Sequence, residues 1–286
     1  MYYGLIILSV LMFGGCFALQ DNYHKMRGSG LKISLETAFV GSVAGFAVLF
    51  VFNGFQIEFT VFTFLIAAFA SLDGIAFTFC SFKALDTINL SLFSLFSMLG
   101  GMVLPFLQGI VIYGEKLTIA KVLCLLLIGA ALCLTVSQGE KKSGTIYYVG
   151  VFVLNGMSGV LSKIFASSTL NKTSSIGYSI WIAICTAVIS GLLLILLRNQ
   201  KVQTPYTPKM FGISASQGAI NRIANLLLVV ALAHVDASVQ YPMVTGGTML
   251  ASTLICFFGP RKPSKKELIS VTSAFVGLLI LFVVPV

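Results

Sequence analysis

SIGYSIWIAICTAVISGLLLILL, the stretch at residues 175–197, contains no charged side chain. An α-helix of about 20 apolar residues is long enough to cross the hydrocarbon core of a membrane. A membrane β-barrel would instead show segments of about ten residues in which apolar and polar side chains alternate. The stretch therefore predicts a membrane-spanning helix.

Ten such runs follow one another along the chain, joined by short connections. Of its 286 residues, 57% are hydrophobic and only 9% are charged. An ordinary soluble protein has about 25% charged residues, so a cytosolic enzyme or a secreted domain is excluded. We predict an all-α polytopic membrane protein with ten transmembrane helices. These cover residues 2–19, 34–53, 59–82, 89–113, 118–137, 145–166, 175–197, 210–232, 237–258 and 267–286.

The positive charges predict the orientation of the chain in the membrane. The net charge is +9, and 13 of the 18 Lys and Arg residues lie on the side that follows the odd-numbered predicted helices. Lys116, Lys121, Lys163 and Lys172 lie on the other side, and Arg222 lies within the eighth helix. The positive-inside rule places the basic loops in the cytoplasm and both termini outside. The chain is predicted to be a multi-pass protein of the cell inner (plasma) membrane, and no basic, aromatic-rich stripe indicates nucleic acid as a partner.

An internal repeat divides the chain into two halves. Several residues recur 147 positions further along the sequence. The matching pairs are Ala84 and Ala231, Leu85 and Leu232, Ser91 and Ser238, Gly100 and Gly247, and Met102 and Met249. Residues 1–137 and 145–286 then form two five-helix repeats, joined by a short loop at 138–144. Because five is odd, the second repeat enters the membrane from the opposite side, an architecture common in transporters.

Groups that carry catalysis or hold metals are scarce. The six cysteines lie within apolar runs and form no CxxC motif, and the two histidines, His24 and His234, lie at helix ends. No nucleophile with its base, no pair of carboxylates and no phosphate-binding glycine loop can be assembled from the sequence. We therefore expect no metal, no cofactor, no enzymatic activity and no use of ATP.

Polar side chains at helical spacing occur on four of the predicted helices. The eighth helix carries Ser214, Gln217, Asn221 and Asn225, at steps of 3, 4 and 4. Candidates on the fourth, sixth and ninth helices are Ser97, Asn155, Tyr241 and Thr245. Within hydrocarbon, such groups either hydrogen-bond neighbouring helices together or line a cavity that binds substrate. The number of polar groups on the eighth helix favours a cavity there.

Two charged residues lie near the middle of predicted helices, Asp73 in the third and Arg222 in the eighth. The repeat makes these two helices equivalent. A charge at the bilayer centre costs on the order of 3 kcal/mol or more. Three interpretations are open: a structural ion pair between the two residues, a site at Arg222 for an anionic group of the cargo, or a site at Asp73 for a coupling proton or cation.

Glycine and proline occur at corresponding places in the fourth and ninth predicted helices. These residues are Gly100, Gly101, Pro105, Pro242, Gly246 and Gly247. Paired helix breaks indicate the binding site of a transporter, and close helix packing through small residues is the alternative. Gly41 and Gly45 form a GxxxG motif in the second helix. We expect it to pack against another helix, or against a second copy of the chain in a homodimer.

The stretch from Leu104 to Ala130 resembles the drug/metabolite transporter superfamily, specifically its EamA-like ten-helix members. The residues that match are Pro105, Gly114, Glu115, Leu117 and Gly129. The resemblance implies a ten-helix fold over the whole chain, with a central cavity lined by helices 1, 3, 4, 6, 8 and 9.

Three features depart from that family's pattern. The second repeat has Gly259 followed by Pro260 where the first has Gly114 followed by Glu115. The first helix has no carboxylate within the membrane, in contrast to related proton-coupled transporters. EamA-like members usually have cytoplasmic termini, whereas the charge count favours the reverse.

The sequence thus predicts a secondary transporter, acting as an exporter of a small polar or amphipathic metabolite by alternating access around a central cavity. The predicted cavity residues are Asp73, Ser97, Asn155, Gln217, Asn221, Arg222, Asn225, Tyr241 and Thr245. A flippase for a lipid or a lipid-linked sugar is the main alternative, since it shares the architecture. An intramembrane enzyme and a structural subunit are the others.

Overall fold

The computed structural model describes residues 2–112, 123, 126–127, 144–200, 202, 204–232, 237–258 and 262–283. Within these residues the chain folds into nine α-helices and no strand. In chain order the helices are α1 (Tyr2–Arg27), α2 (Leu31–Phe52), α3 (Val61–Leu85), α4 (Leu90–Val111), α5 (Thr145–Ser167), α6 (Ser175–Leu196), α7 (Pro208–Leu232), α8 (Ala237–Phe257) and α9 (Lys265–Val283).

The prediction of an all-α, multi-pass membrane protein is confirmed. Helices α1 to α6 are each long and apolar enough to cross a membrane. Helix α7 has 25 residues but a more polar sequence, because amides and Arg222 interrupt its apolar run. Most of the predicted fifth helix at 118–137 and of the loop at 138–144 lies outside the described residues, as do the matching residues Gly114, Glu115, Leu117 and Gly129. The count of ten helices stays a prediction.

Side-chain caps fix where several helices begin. The side chain of Asn89 accepts a hydrogen bond from the backbone N–H of Leu92 at 2.9 Å, which starts α4. Ser174 accepts one from Gly177 at 3.1 Å and starts α6. Such caps satisfy backbone donors that have no partner within the helix. Helix α1 extends eight residues beyond its predicted end and stops at Gly28, which has a φ of 82°.

Eight helices contact one another in succession and close into a ring among the described residues. The order around the ring is α3, α6, α2, α7, α1, α8, α4, α5 and back to α3, and contacts across its middle are much sparser. Helix α9 packs outside the ring on α8 and α4. The helices thus surround a central region instead of filling it.

The connections between helices gather at two faces of the ring. On one face, which we call the basic face, His24 lies 2.8 Å from Asp86 and Lys32 donates a hydrogen bond to the carbonyl oxygen of Gln200 at 2.7 Å. On the opposite face, Glu58 accepts a hydrogen bond from the backbone N–H of Ser174 at 2.7 Å. Successive connections therefore alternate between the two faces, as a series of membrane-spanning helices requires.

The basic half of the ring is filled by apolar side chains. One large buried cluster joins α1, α3, α4, α5, α8 and α9, with the rings of Phe17 and Phe93 in edge contact at 5.2 Å. A second cluster joins α1, α2, α3 and α7 around Tyr23 and Phe82, whose rings stack at 5.6 Å. Helices from both sequence halves are therefore packed together at the basic face.

The opposite half of the ring is divided. One cluster, around Ile6, Val10 and Ala231, joins α1, α7 and α8. A separate cluster, around Ala67 and Phe165, joins α3, α5 and α6. No buried apolar cluster of the described residues connects these two groups of helices, so near the opposite face the ring consists of two separately packed groups.

The predicted helix breaks are not present, which corrects that interpretation. Helix α4 continues through Gly100, Gly101 and Pro105, and α8 continues through Pro242, Gly246 and Gly247. Gly100 faces the backbone of Phe152 on α5, too close for any side chain. A Cβ at Gly247 would lie 2.9 Å from the side chain of Val10 on α1. The glycines serve close helix packing, the alternative interpretation of the pattern.

Candidate functional site

Arg222 lies on α7, and a glycine of α2 makes room for it. A Cβ added to Gly45 would lie 2.8 Å from Arg222 Cγ and 3.4 Å from its Nε. Gly41, one turn earlier, faces the backbone of Gly218 on α7. The GxxxG motif therefore packs against another helix of the same chain, as one of its two interpretations predicted. It also lets the Arg222 side chain lie flat across α2.

Arg222 borders a small opening of about 20 Å³ between α6 and α7, floored by α2. The residues around the opening are Leu49, Ser175, Ile176, Ser179, Asn225 and Leu226. No hydrogen bond or ion pair to the Arg222 side chain occurs among the described residues. A space of this size holds about one water molecule, so the unpaired cation has room for a water beside it.

Asp73 lies on α3, in the other of the two separately packed groups of helices. It is partly buried, and its Oδ2 atom is buried without a hydrogen-bond partner among the described residues. The hydroxyl group of Ser71, two residues earlier, donates instead to the carbonyl oxygens of Ala67 at 2.7 Å and of Ile182 at 3.0 Å. The described part of the chain therefore provides no hydrogen-bond partner for this buried carboxyl oxygen of Asp73.

Asp73 and Arg222 do not form an ion pair, so the structure does not support a structural lock between them. The ion pairs of His24, Lys25, Arg27 and Lys83 lie near the basic face. Tyr178 of α6 lies within electrostatic range of both charges. Its ring stacks on Phe165 at 4.2 Å, and its hydroxyl is buried without a hydrogen-bond partner in the described part of the chain.

The remaining α7 candidates lie either in a helix contact or on the surface beside Arg222. Gln217 lies against α1, where its carbonyl oxygen accepts a weak hydrogen bond from Cys16 Sγ at 3.6 Å, and its side-chain oxygen is buried without a partner in the described chain. Asn225 is exposed and donates to the carbonyl oxygen of Asn221 at 2.8 Å. Asn221 and Asn225 thus continue the polar surface of Arg222 along α7.

The candidates on α4 and α5 lie where these two helices cross. The Asn155 amide donates a short hydrogen bond to the carbonyl oxygen of Ser97, and it packs against Gly101. Ser97 is fully buried, and its hydroxyl has no partner among the described residues. For this pair the observed contact is one that joins helices.

Hydroxyl groups also join α4 to α8. Ser252 donates a short hydrogen bond to Ser94, and Ser91 and Thr253 share a hydrogen bond at 2.9 Å. Thr245, the candidate on α8, is buried. The side chains of Tyr241 and Pro242 lie outside what the structure describes, so their prediction stays untested.

The basic face is closed by polar contacts above the apolar clusters. Arg27, at the end of α1, forms a bidentate ion pair with Glu36 of α2, with an Nη2 to Oε2 distance of 2.8 Å. The same guanidinium donates to the carbonyl oxygen of Thr204, and it lies 5.4 Å from the centre of the Tyr206 ring. Arg27 therefore ties α1, α2 and the connection before α7 together.

Three residues near Arg222 were not predicted from the sequence: Tyr178, Ser175 and Ser179. They lie on α6, whose sequence is nearly uniformly apolar, so no polar stripe distinguished them. The only sequence signal was the cap at Ser174, which marks a helix start near these residues.

No group of three or more His, Cys, Asp or Glu side chains within the described ranges could hold a metal ion. The described cysteines Cys16, Cys80, Cys185 and Cys256 are free thiols.

Comparisons with known proteins give information on the fold but none on the function. No family model matches the chain, and no curated protein sequence matches it. In contrast, 28 chains of solved structures resemble it. One of them, described only as a crystal structure of a protein, covers 96% of this chain and 96% of its own, with a TM-score of 0.60 and 15% identity. At that identity the similarity shows the fold alone.

Proposed function

We propose that the protein is a secondary transporter that moves a small polar or amphipathic metabolite by alternating access. The observation that carries this proposal is the one-sided packing of the ring. Apolar clusters join both sequence halves at the basic face, whereas the opposite half is divided into two packed groups, with Arg222 and Asp73 on helices of different groups. A transporter caught open to one side requires this arrangement around a central site.

The order of helices in the ring supports two inverted repeats. Exchanging α1 with α5, α2 with α6, α3 with α7 and α4 with α8 reproduces every contact of the ring. The exchange pairs each helix with the one about 145 residues further along the chain, close to the offset of the sequence repeat. Such internal symmetry gives a transporter two states of similar energy, each open to one face.

Membership of the EamA-like transporters is proposed on the same grounds. The ring, the repeat and the short matching motifs agree with that family's layout, and export from the cell across the inner (plasma) membrane follows from the resemblance. Helix α1 carries no carboxylate at the depth where related proton-coupled transporters have one, so we place the coupling role on Asp73 instead.

A flippase for a lipid or lipid-linked sugar is the second candidate. The opening at Arg222 lies between α6 and α7, which are not neighbours in the ring because α2 separates them. If α6 and α7 moved apart, this water-sized gap would become a route by which a lipid headgroup enters from the side. An enzyme has less support, because no second titratable group pairs with Asp73 in the described residues.

The decisive experiment measures uptake into proteoliposomes, with mass spectrometry of a metabolite pool and with or without a pH gradient. Asp73→Asn is compared with wild type, and Asp21→Asn is the matched control, because Asp21 is paired with Lys25 within α1. We expect gradient-driven accumulation in wild type and Asp21→Asn, and its loss in Asp73→Asn.

If wild type and both variants take up a metabolite equally and the pH gradient has no effect, the protein is a facilitated transporter. Asp73 then has no coupling role. Absence of movement for every water-soluble metabolite would overturn the transporter proposal. In that case, flipping of a fluorescent lipid across the same vesicles would favour the flippase.

A further inference from the structure

We propose that the small opening between α6 and α7 is a gate at the face opposite the basic loops. In the second state of the transport cycle the opening closes, and Arg222 donates hydrogen bonds across it to Ser175 and Ser179. The inference deepens the proposed function, because it rests on alternating access between two inverted repeats. Closure of the gate can be measured without any cargo.

The first step is a difference in packing between the two sequence halves. In the first half, α2 packs against α3, and α1 makes smaller contacts with α3 and α4. The exchange that reproduces the ring converts these pairs into α6 with α7, α5 with α7 and α5 with α8. Among the described residues, each of these counterpart pairs makes less contact than its equivalent in the first half. The first half is therefore drawn together, whereas the second half is spread apart.

The second step is the place of the opening in this comparison. Near the start of α2 and the end of α3, Ile33 and Phe82 belong to one buried cluster at the basic face. The exchange carries these two places to the start of α6 and the end of α7. The opening lies between residues 175–179 in the first turns of α6 and residues 222–226 in the second half of α7. It thus occupies the place where the first half has a helix contact.

The third step is the size of the opening. Its volume of about 20 Å³ holds about one water molecule, so an approach by roughly the width of a water brings α6 and α7 into contact. Helix α2 packs against both of them and carries Leu49 at the floor of the opening. A small movement of the two helices over α2 is therefore enough for closure.

The fourth step is the chemistry of the two sides. Ser175 and Ser179 line the opening from α6, and Arg222 and Asn225 line it from α7. The Arg222 side chain has no hydrogen bond or ion pair among the described residues. Each serine hydroxyl can accept a hydrogen bond, and the guanidinium has several N–H groups to donate. Closure would therefore give partners to a cation that is costly to leave unsatisfied within a membrane.

These hydrogen bonds would form in one state only. A conformational equilibrium is shifted by interactions that differ between its two states. An arginine that gains acceptors when the opening closes stabilises the state that is closed at this face. Arg222 is thus assigned to the movement between states.

The test joins the two sides of the opening in Ser179→Cys/Asn225→Cys, reconstituted in nanodiscs, with a short and reducible thiol cross-linker. The two single variants control for reaction with the native thiols. Ser175→Cys/Ser179→Cys is the matched control, because its two thiols lie one turn apart on the same helix and cannot join α6 to α7. We expect mass spectrometry to find the α6 and α7 peptides linked in Ser179→Cys/Asn225→Cys only.

Closure at one face should open the other. Hydrogen exchange at residues 19–36 and 204–213 should become several-fold faster after cross-linking of Ser179→Cys/Asn225→Cys, and reduction should restore the original rate in the same sample. The matched control should show no change. Adding Arg222→Gln to the double variant should slow cross-linking several-fold, and adding Arg222→Lys should slow it less, because lysine keeps N–H donors at this place.

Thermal unfolding of each variant identifies those that are folded. If Ser179→Cys/Asn225→Cys does not fold, Ser175→Cys/Asn225→Cys replaces it, since Ser175 and Asn225 are both exposed. Absence of a link between α6 and α7 in the folded double variant would overturn the gate. Unchanged hydrogen exchange at the basic face after cross-linking would also overturn it, as would an unchanged cross-linking rate with Arg222→Gln.

Uptake into proteoliposomes separates the gate from the proposed function. If wild type takes up a metabolite and cross-linking leaves that uptake unchanged, the gate is overturned and the transporter function stands. If cross-linking opens the basic face but wild type takes up no metabolite, the gate stands and the transporter function is contradicted. We expect uptake by wild type, and uptake by the double variant that is lost on cross-linking and restored on reduction.

Discussion

At the scale of single residues, the polar side chains of the helices fall into two kinds. Those with partners, such as Ser252 and Ser94, join helices, whereas Arg222 and Asp73 have none in the described chain. In a membrane the first kind contributes modestly to stability, and the second is retained at a cost. Substitutions should therefore separate stability from transport.

Ser252→Ala should lower stability slightly and leave transport intact. It removes one hydrogen bond between α8 and α4, which contributes about 1 kcal/mol or less in a membrane protein. The measurement is thermal unfolding in detergent beside proteoliposome uptake, with Asp73→Asn as the comparison that should show the reverse pattern. A transport defect in Ser252→Ala at unchanged stability would contradict this division.

At the scale of elements, the crossing of α4 and α5 is a close helix contact built around small residues. Gly156 and Gly159 on α5 face Gly100, Leu104 and Pro105 on α4. Close approach of this kind gives dispersion contacts over a long stretch, which is what joins helices where the hydrophobic effect between them is absent.

Gly156→Ala should destabilise the protein by about 1–3 kcal/mol, because overpacking a tight contact forces the helices apart. The new Cβ would lie 2.7 Å from both the carbonyl oxygen of Gly100 and Leu104 Cβ. Gly15→Ala on α1 is the control, since its Cβ would meet nothing within 4 Å. Thermal unfolding of the two variants checks the prediction. Equal stability of the two would contradict it, since it would show that α4 and α5 can move apart without loss of stability.

At the scale of the whole molecule, the proposed alternating access requires the basic face to open. Arg27 joins three segments there through Glu36 and Thr204, and it is buried. Lys25 lies at the same end of α1, but its ion pair with Asp21 stays within that helix. Of these two interactions, the one made by Arg27 holds different segments of the ring together.

Arg27→Ala should shift the population towards opening at the basic face, whereas Lys25→Ala should not. Hydrogen exchange measured by mass spectrometry should become several-fold faster at residues 19–36 and 204–213 in Arg27→Ala. Removing one partner of a buried pair leaves the other uncompensated, which is the physical reason for the shift. Identical exchange in the two variants would remove Arg27 from the closure.

The candidate site was only partly accessible from the sequence. The two charges at mid-membrane, Asp73 and Arg222, were evident because charges are rare in hydrocarbon. The absence of an ion pair between them was not evident. Position along a helix gives the depth of a side chain in the membrane, but it does not show which neighbouring helix that side chain faces. Tyr178 and Gly45 gave no signal as site residues. Their roles arise from contacts with other helices, which the order of residues along one helix does not reveal.

The sequence by itself determined the class of this protein, because an uncharged run such as 175–197 has no stable place outside a membrane. It also determined where most of the helices begin and end, through apolar length and caps. Only the tertiary structure decided what the glycines do, how the helices are ordered in the ring and which face is closed. The physical reason is that burial in lipid depends on composition, whereas helix packing depends on the shapes of surfaces that meet only in the folded chain.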